Sequence, residues 1–390
     1  MMRMFKNFIG IIFILCLAGC RSELAYQKGS AVKIDVITNN NNNVNIYDVV
    51  DHHYYVKLET TVESLIDRVD KVICQQNKIY VLDTKSAAVI VFDEQGKFLS
   101  TIRKRGSGPG EYTYLRDLDV DEEGNMYLVD LMTRNVLKYS PEGTYISTFA
   151  QHSYVSNIAV LDHTTYATYL PSFADSNFDD MIILRNEEKV VDSYLKADVK
   201  PNDLYSLKMS SLLRSEESIL FNRDLSDTIF SLDRSGAYPK YFLDFGDYSI
   251  KPNARHDRKS FTIGLPNIKE GYSINNFYET EDYFTCSFNL KSKSWSLYYA
   301  KDSGNYIFFD CAGCDVDTMK VLGYMNVRSV AGDYFVSVLT YDNIAPYKEN
   351  LAGKYAEATR KMLGEENTRF VQEFDSDDNP VLVFYSLSKF

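Results

Sequence analysis

The sequence predicts an all-β fold, a six-bladed β-propeller closed by pairing of its N- and C-terminal strands, with a small helical insertion near the C-terminus. Three observations carry this expectation. The stretch "IYVLDTKSAAVIVFDEQGKFLSTI" from Ile79 returns 47 residues on as "MYLVDLMTRNVLKYSPEGTYISTF" from Met126. Tyr80 matches Tyr127, Asp83 matches Asp130, Val89 matches Val136 and Gly96 matches Gly143. A period near 45 residues made of short strands is the signature of propeller blades. The chain also holds 30 Tyr and 23 Phe against one Trp, and aromatic residues in short alternating runs favour pleated strands. Finally, "HYYVKLET" (His53–Thr60) and "NPVLVFYSL" (Asn379–Leu387) stand at the two ends of the body. A ring must pair such ends or leave two open strand edges.

At the N-terminus, Arg3 and Lys6 precede an unbroken apolar stretch, Phe8–Leu17. About ten residues suit a signal-peptide core and fall short of the roughly 20 that span a bilayer, so residues 1–19 are expected as a signal peptide. The stretch ends in "LAGC" (Leu17–Cys20), which resembles the lipobox of bacterial lipoproteins. That resemblance implies cleavage before Cys20 and lipid attachment to its thiol. Residues 20–44, with five consecutive asparagines at Asn39–Asn43, read as a lipid-anchored linker, because a polar run without periodicity stays solvated. The propeller is expected over 45–390.

Each repeat copy parses alike. Ile79–Leu82 is a strand, Asp83–Ala87 a turn, Val89–Phe92 a second strand, "DEQG" a tight turn, and Lys97–Ile102 a third strand. Glycine at Gly96 and Gly143 suits a turn needing positive φ. "DVDEEGNMYLVD" adds one strand more, giving four per blade. Anchors at Tyr80, Tyr127, Tyr166, Leu220, Phe284 and Phe335 mark six blades with a mean spacing of about 51 residues. "YKENLAGKYAEATRKMLGEENTRFVQEF" (Tyr347–Phe374) breaks the pattern. Its Leu351, Tyr355, Ala358 and Met362 fall at helical steps, so a helical insertion is expected over about 347–374, as a decoration on the ring or as a docking surface.

"FDEQGKFLSTI", "GSGPGEY", "LSDTIFSLD" and "NPVLVFYSL" together resemble a family of lipid-anchored six-bladed β-propellers from gut-dwelling Gram-negative bacteria, related in style to NHL-repeat propellers. The resemblance covers about residues 45–390. It implies the fold and an envelope location and says little about activity. The residues after Cys20, "RSEL", include no aspartate next to the anchor, so the outer membrane is the expected side of attachment.

The formal net charge of −12 argues against nucleic acid or anionic lipid as partners through the overall field. "RKRGSGPGEY" (Arg103–Tyr112) suggests a phosphate cradle, yet a P-loop needs Lys and Ser/Thr after its glycines. Here Glu111 and Tyr112 follow, and a carboxylate repels phosphate. The segment reads as a connector between blades. Arg103, Arg105, Glu111 and Tyr112 are the candidate ligand contacts, on the expectation that the loop lies at a ring face near the channel; a solvated surface is the alternative.

"DLDVDEEGN" (Asp117–Asn125) lacks the spacing of a calcium loop and reads as alternating strand residues entering a hairpin. "CAGC" (Cys311–Cys314) is a lone pair without zinc or thioredoxin context. The five histidines, His52, His53, His152, His163 and His256, show no ligand spacing, and no G-x-S-x-G elbow occurs. No catalytic residue, metal or cofactor is therefore assigned. The expected function is a lipid-anchored binding or interaction module of the envelope, with a glycan, a peptide or an outer-membrane protein as partner. The competing expectations are a metal-assisted hydrolase or lyase in the channel and a structural accessory of an outer-membrane complex.

Overall fold

The structure, a computed structural model, describes residues 31–37, 46–171, 180–196, 210–215, 218–223, 225–250, 269–310 and 327–390. Cys20, Asn39–Asn43, His256 and the Cys311–Cys314 pair lie outside these residues.

Six sheets make six blades. Blade 1 comprises β3 (Lys71–Gln75), β4 (Lys78–Asp83), β5 (Ala88–Asp93) and β6 (Phe98–Ile102). Blade 2 comprises β7 (Leu115–Val120), β8 (Met126–Asp130), β9 (Asn135–Tyr139) and β10 (Tyr145–Ala150). Blade 3 comprises β11 (Asn157–Val160), β12 (Tyr166–Tyr169), β13 (Asp180–Arg185) and β14 (Val190–Lys196). In blade 4, β15 (Leu212–Arg214), β16 (Ile219–Phe221), β17 (Thr228–Asp233) and β18 (Gly236–Asp244) are joined by β1 (Val32–Asp35). Blade 5 comprises β19 (Tyr272–Glu279), β20 (Tyr283–Leu290), β21 (Lys293–Ala300) and β22 (Tyr306–Asp310). Blade 6 comprises β23 (Val327–Ala331), β24 (Tyr334–Leu339), β25 (Val381–Leu387) and, from the start of the chain, β2 (Val50–Lys57). The first strands β3, β7, β11, β15, β19 and β23 each touch the next, β23 touching β3, so they line one closed ring.

Closure follows the expected route. β2 is antiparallel to β25, from Val50 opposite Leu387 to Lys57 opposite Val381. Asn379, just before β25, sews the seam further. Its side chain accepts from the Ile66 amide (2.9 Å) and donates to the Glu59 (2.9 Å) and Ser64 (2.8 Å) carbonyls. One element departs from the expected linker: Val32–Asp35 form β1, which runs parallel to β18 and covers the outer edge of blade 4.

The core lies between blades. Alternate side chains of a strand point to opposite faces, and here both faces are covered. Tyr80 and Leu82 of β4 pack toward blade 2, while Ile79 and Val81 pack toward blade 6. This is why "KIYVLD" and "AVIVFD" read as almost continuous apolar runs. The turn glycine Gly96 has φ +83°, and a Cβ there would stand 2.2 Å from the Lys57 carbonyl oxygen. Only glycine fits both the angle and the approach.

Two helices, α1 (Tyr341–Ala352) and α2 (Ala356–Glu373), are inserted between β24 and β25. They begin six residues earlier than expected, where Thr340 and Asn343 form a capping box. They pack on the outer strand of blade 6. The Tyr55 ring of β2 stacks on Phe370 at 4.6 Å, and its hydroxyl donates to Asn367 Oδ1 at 2.9 Å.

Candidate functional site

Antiparallel order divides the ring into two ends. The β3–β4, β7–β8 and β15–β16 turns share one end with the β5–β6 turn, and the β6–β7 connection leaves from the other. That connection holds the sequence candidates. Tyr112 is fully buried; its hydroxyl donates to the Ala87 carbonyl (2.7 Å) and accepts from the Lys104 amide (3.2 Å). Burial pushes this phenol up to about 12. The Glu111 carboxylate accepts from the Gly108 amide at 2.8 Å, closing the glycine loop on itself. Gly110 has φ +72°, and a Cβ there would meet the Tyr145 ring at 2.6 Å. Arg105 bridges to Tyr112 through the backbone, and the Arg103 guanidinium donates to the Leu65 carbonyl (3.1 Å). Both arginine side chains are exposed. The structure thus gathers the four candidates into one connector, at the end of the ring away from the cleft described next.

At the hairpin end, a cleft of about 450 Å³ opens between blades 6 and 1 and runs inward to the channel. Tyr54 of β2 and Phe384 of β25 form its outer end, the β3–β4 hairpin one wall, and Arg214 and Tyr278 its inner end. Gln76 and Asn77, the two-residue tip of that hairpin, hold φ +55° and +54°, as a type I′ turn requires. A second cavity of about 570 Å³ between blades 3 and 4 shares Glu122, Arg214 and Ser215 with the first.

The charges behind this wall are paired. Lys71 Nζ lies 3.0 Å from Asp117 Oδ1 and donates to the Leu118 carbonyl at 2.7 Å. The other Asp117 oxygen accepts from the Ile158 amide (2.9 Å) and Asn157 Nδ2 (3.2 Å). Arg214 reaches Asp119 through Nη2 (2.6 Å) and Nε (3.2 Å), and Asp119 also accepts from the Val160 amide at 2.6 Å. Asp121 accepts from the Glu123 (3.0 Å) and Asn125 (2.8 Å) amides, shaping the hairpin expected of "DLDVDEEGN". Three alternating carboxylates therefore tie blade 2 to blades 1, 3 and 4 and complete their own turn. Gln75 and Gln76 add to the tie, donating to the Asp121 (3.0 Å) and Glu122 (2.6 Å) carbonyls.

At the outer end, Tyr54 is 41% exposed. Its ring stacks on Phe384 at 4.8 Å and 9°, and meets Tyr334 edge-on at 5.3 Å and 72°. Burial, then the neighbouring Tyr334, Cys74 and Glu94, raise its pKa above the ordinary phenol value, so it faces the cleft as a neutral ring. Outside the cleft, Glu279 is buried among Lys240, Lys301 (3.2 Å), Ser218 and the Tyr241 hydroxyl (2.7 Å). Burial alone would raise its pKa, but the two lysines outweigh burial and hold it below the ordinary value. Among the described residues, no three His, Cys, Asp or Glu side chains are grouped to hold a metal ion.

Sequence reasoning did not single out Lys71, Arg214 or Tyr54. Their partners are remote in the chain, and only the alternation of Asp117, Asp119 and Asp121 gave a local signal.

With that geometry in place, a family profile described as "Domain of unknown function (DUF4934)" matches residues 31–386. The chain belongs to this family. The match begins one residue before β1, so the family's domain takes in the strand that covers blade 4. Among solved structures, a protein of Bacteroides fragilis described as exported is similar at TM-score 0.76 and 18% identity, over 92% of this chain and 100% of that one. A member of the duf4221 family from Bacteroides vulgatus is similar at TM-score 0.50 and 10% identity, over 87% of this chain and 97% of that one. At these identities the likeness is one of fold. No curated protein matches the chain. Among the described residues, no helix is long and apolar enough to cross a membrane.

Proposed function

We propose that this family member is a binding module of the cell envelope, tethered through lipid on Cys20 to the outer membrane, that takes a ligand in the cleft between blades 6 and 1. The observation that carries the reading is the cleft itself. It is preformed, falls within the volume range of small-molecule sites, and is held by a two-residue hairpin and paired charges rather than by a loose loop. A rigid scaffold with its polar groups already oriented loses little entropy on binding. Lys71 and Arg214 are each engaged by a carboxylate and a carbonyl, which suits a wall better than a proton-transfer centre. The description of the B. fragilis protein as exported supports the envelope setting, as does "LAGC".

Filling the cleft tests the reading. Glu122 is exposed and lines both cavities. Glu122→Trp should leave the melting temperature within about 2 °C, since surface changes are usually small, and abolish binding of any small molecule that stabilises the parent. Stabilisation that survives the substitution places the ligand elsewhere. Labelling cells with a fatty-acid probe tests the tether: Cys20→Ala should remove the label, and a labelled variant refutes lipid attachment at Cys20.

A further inference from the structure

We infer that the ligand of the cleft is an uncharged saccharide, stacked on Tyr54 at the outer end and hydrogen-bonded along the β3–β4 hairpin. This rests on the reading of the cleft as a ligand seat and adds its chemical class.

Three features point to that class. Tyr54 is a large aromatic side chain left 41% exposed inside a concavity, its own back face already occupied by Phe384 at 4.8 Å. With Tyr334 edge-on at 72° the two rings make a fixed corner. A neutral aromatic ring exposed in a cleft receives a molecule that carries polarised C–H groups on one side, as a pyranose does. The hairpin beside it offers exposed, uncharged hydrogen-bonding side chains, Gln76 and Asn77. The amide nitrogens of Gln76 and its neighbour Gln75 are already anchored to blade 2 carbonyls. Their planes are therefore set before any ligand arrives, as recognition of hydroxyl groups requires.

The charge pattern is the third feature. The cations at the inner end, Lys71 and Arg214, are neutralised by Asp117 and Asp119, and on the rim Lys78 stands with Glu94 and Glu122. No single sign dominates, so neither an anionic nor a cationic ligand gains a net pull. A hydroxyl-rich neutral molecule uses such a mixed rim through hydrogen bonds, each of which is strengthened by a charged partner.

The test uses the folded chain without its first 19 residues. Neutral trisaccharides of glucose, mannose, galactose and xylose are probed by saturation-transfer NMR and calorimetry, beside acidic trisaccharides and a tripeptide library. The expected result is binding of at least one neutral trisaccharide, with transfer to its ring C–H protons. Tyr54→Ala should weaken it by about fivefold or more, the scale of one aromatic contact, and Tyr54→Phe should keep it within about twofold. Binding of no neutral trisaccharide overturns the saccharide class, and so does tighter binding of an acidic one or indifference to Tyr54→Ala. Tripeptide binding that Glu122→Trp abolishes overturns the class and leaves the cleft reading standing. Binding that ignores Glu122→Trp overturns both.

Discussion

The buried Lys71–Asp117 pair makes the sharpest stability prediction. Both side chains are nearly inaccessible, at 5% and 2%, and the pair joins the first strands of blades 1 and 2. Lys71→Met removes the cation and leaves the buried Asp117 carboxyl in the wall with only Ile158 and Asn157 as donors. Breaking a buried pair from one side costs about 3–5 kcal/mol, because one charge is stranded. At roughly 2 °C per kcal/mol for a chain of this size, the melting temperature should fall by about 6–10 °C. Asp117→Asn strands the ammonium against an amide and should cost a similar amount. In the double variant neither charge remains, so its loss should be smaller than the sum of the singles by about 1–3 kcal/mol. Thermal melts followed by circular dichroism, with urea titrations of all four proteins, measure the cycle. If Lys71→Met melts within about 2 °C of the parent, or the single losses simply add, the pair does not hold the wall and the cleft is not kept rigid by it.

Other consequences can be measured on the same protein. Asn379→Ala strands one amide and two carbonyls at the seam and should cost about 2–3 kcal/mol; an unchanged urea midpoint would show that the seam is held by β2–β25 pairing alone. Gly96→Ala should destabilise clearly more than Gly332→Ala. Both sites have positive φ, but only Gly96 faces a carbonyl oxygen at 2.2 Å, while nothing lies within 4 Å of a Cβ at Gly332; equal melting temperatures would refute the steric part. Acid should unfold the protein through Glu279 and Asp130. At Asp130 burial is outweighed by the Thr113 and Tyr114 amides and the Thr133 and Thr113 side chains, and both groups sit below their ordinary values of 4.5 and 3.8. The folded state then binds fewer protons than the unfolded one, so stability is complete above about pH 4.5 and is lost as pH falls through the depressed values. Glu279→Gln should flatten that loss, and an unchanged slope would remove Glu279 from the account.

The ring was legible because its strongest signal sits on one strand of every blade. The six anchors Tyr80, Tyr127, Tyr166, Leu220, Phe284 and Phe335 all lie in the second strand, β4, β8, β12, β16, β20 and β24. Each of these residues is buried, so selection for large apolar groups repeats there. Asp83 and Asp130, matched by the repeat, do the same work: each accepts amides from its own turn and from the loop entering the blade. What was not legible is what needs long-range partners. "VKID" is polar on one face and becomes a strand only because β18, some two hundred residues away, offers an edge. The start of α1 was hidden by Asn343 and Pro346, which read as loop. Tyr112 drew attention by standing beside glycines and arginines; its buried hydroxyl shows that it shapes the connector from inside. Lys71, Arg214 and Tyr54 have no local motif, since their partners stand 46, 95 and 330 residues away.

The cleft's position follows from how the ring closes. In blades 1, 2, 3 and 5 the outer strand comes from the same run of chain as the inner strands. In blade 6 it is supplied by β2, which arrives from the N-terminal side before blade 1 has been made. Tyr54 therefore reaches the junction on a strand whose course is set by β25, while the facing hairpin is set by blade 1 and its ties to blade 2. Apolar packing between these two blades joins Val56 and Leu382 to Val72 and Val81, and the cleft opens beside it, lined by Val72, Ile79 and Phe384. Its walls come from opposite ends of the sequence and meet only in the closed ring. A ligand that reaches from the β3–β4 hairpin to Ala331 or Phe384 contacts both sides of the seam and stabilises closure in proportion to its occupancy, by about 2.7 kcal/mol at a hundredfold excess over Kd. Binding and closure are one equilibrium in this geometry, so a substitution that loosens β2 against β25 weakens the ligand without touching it.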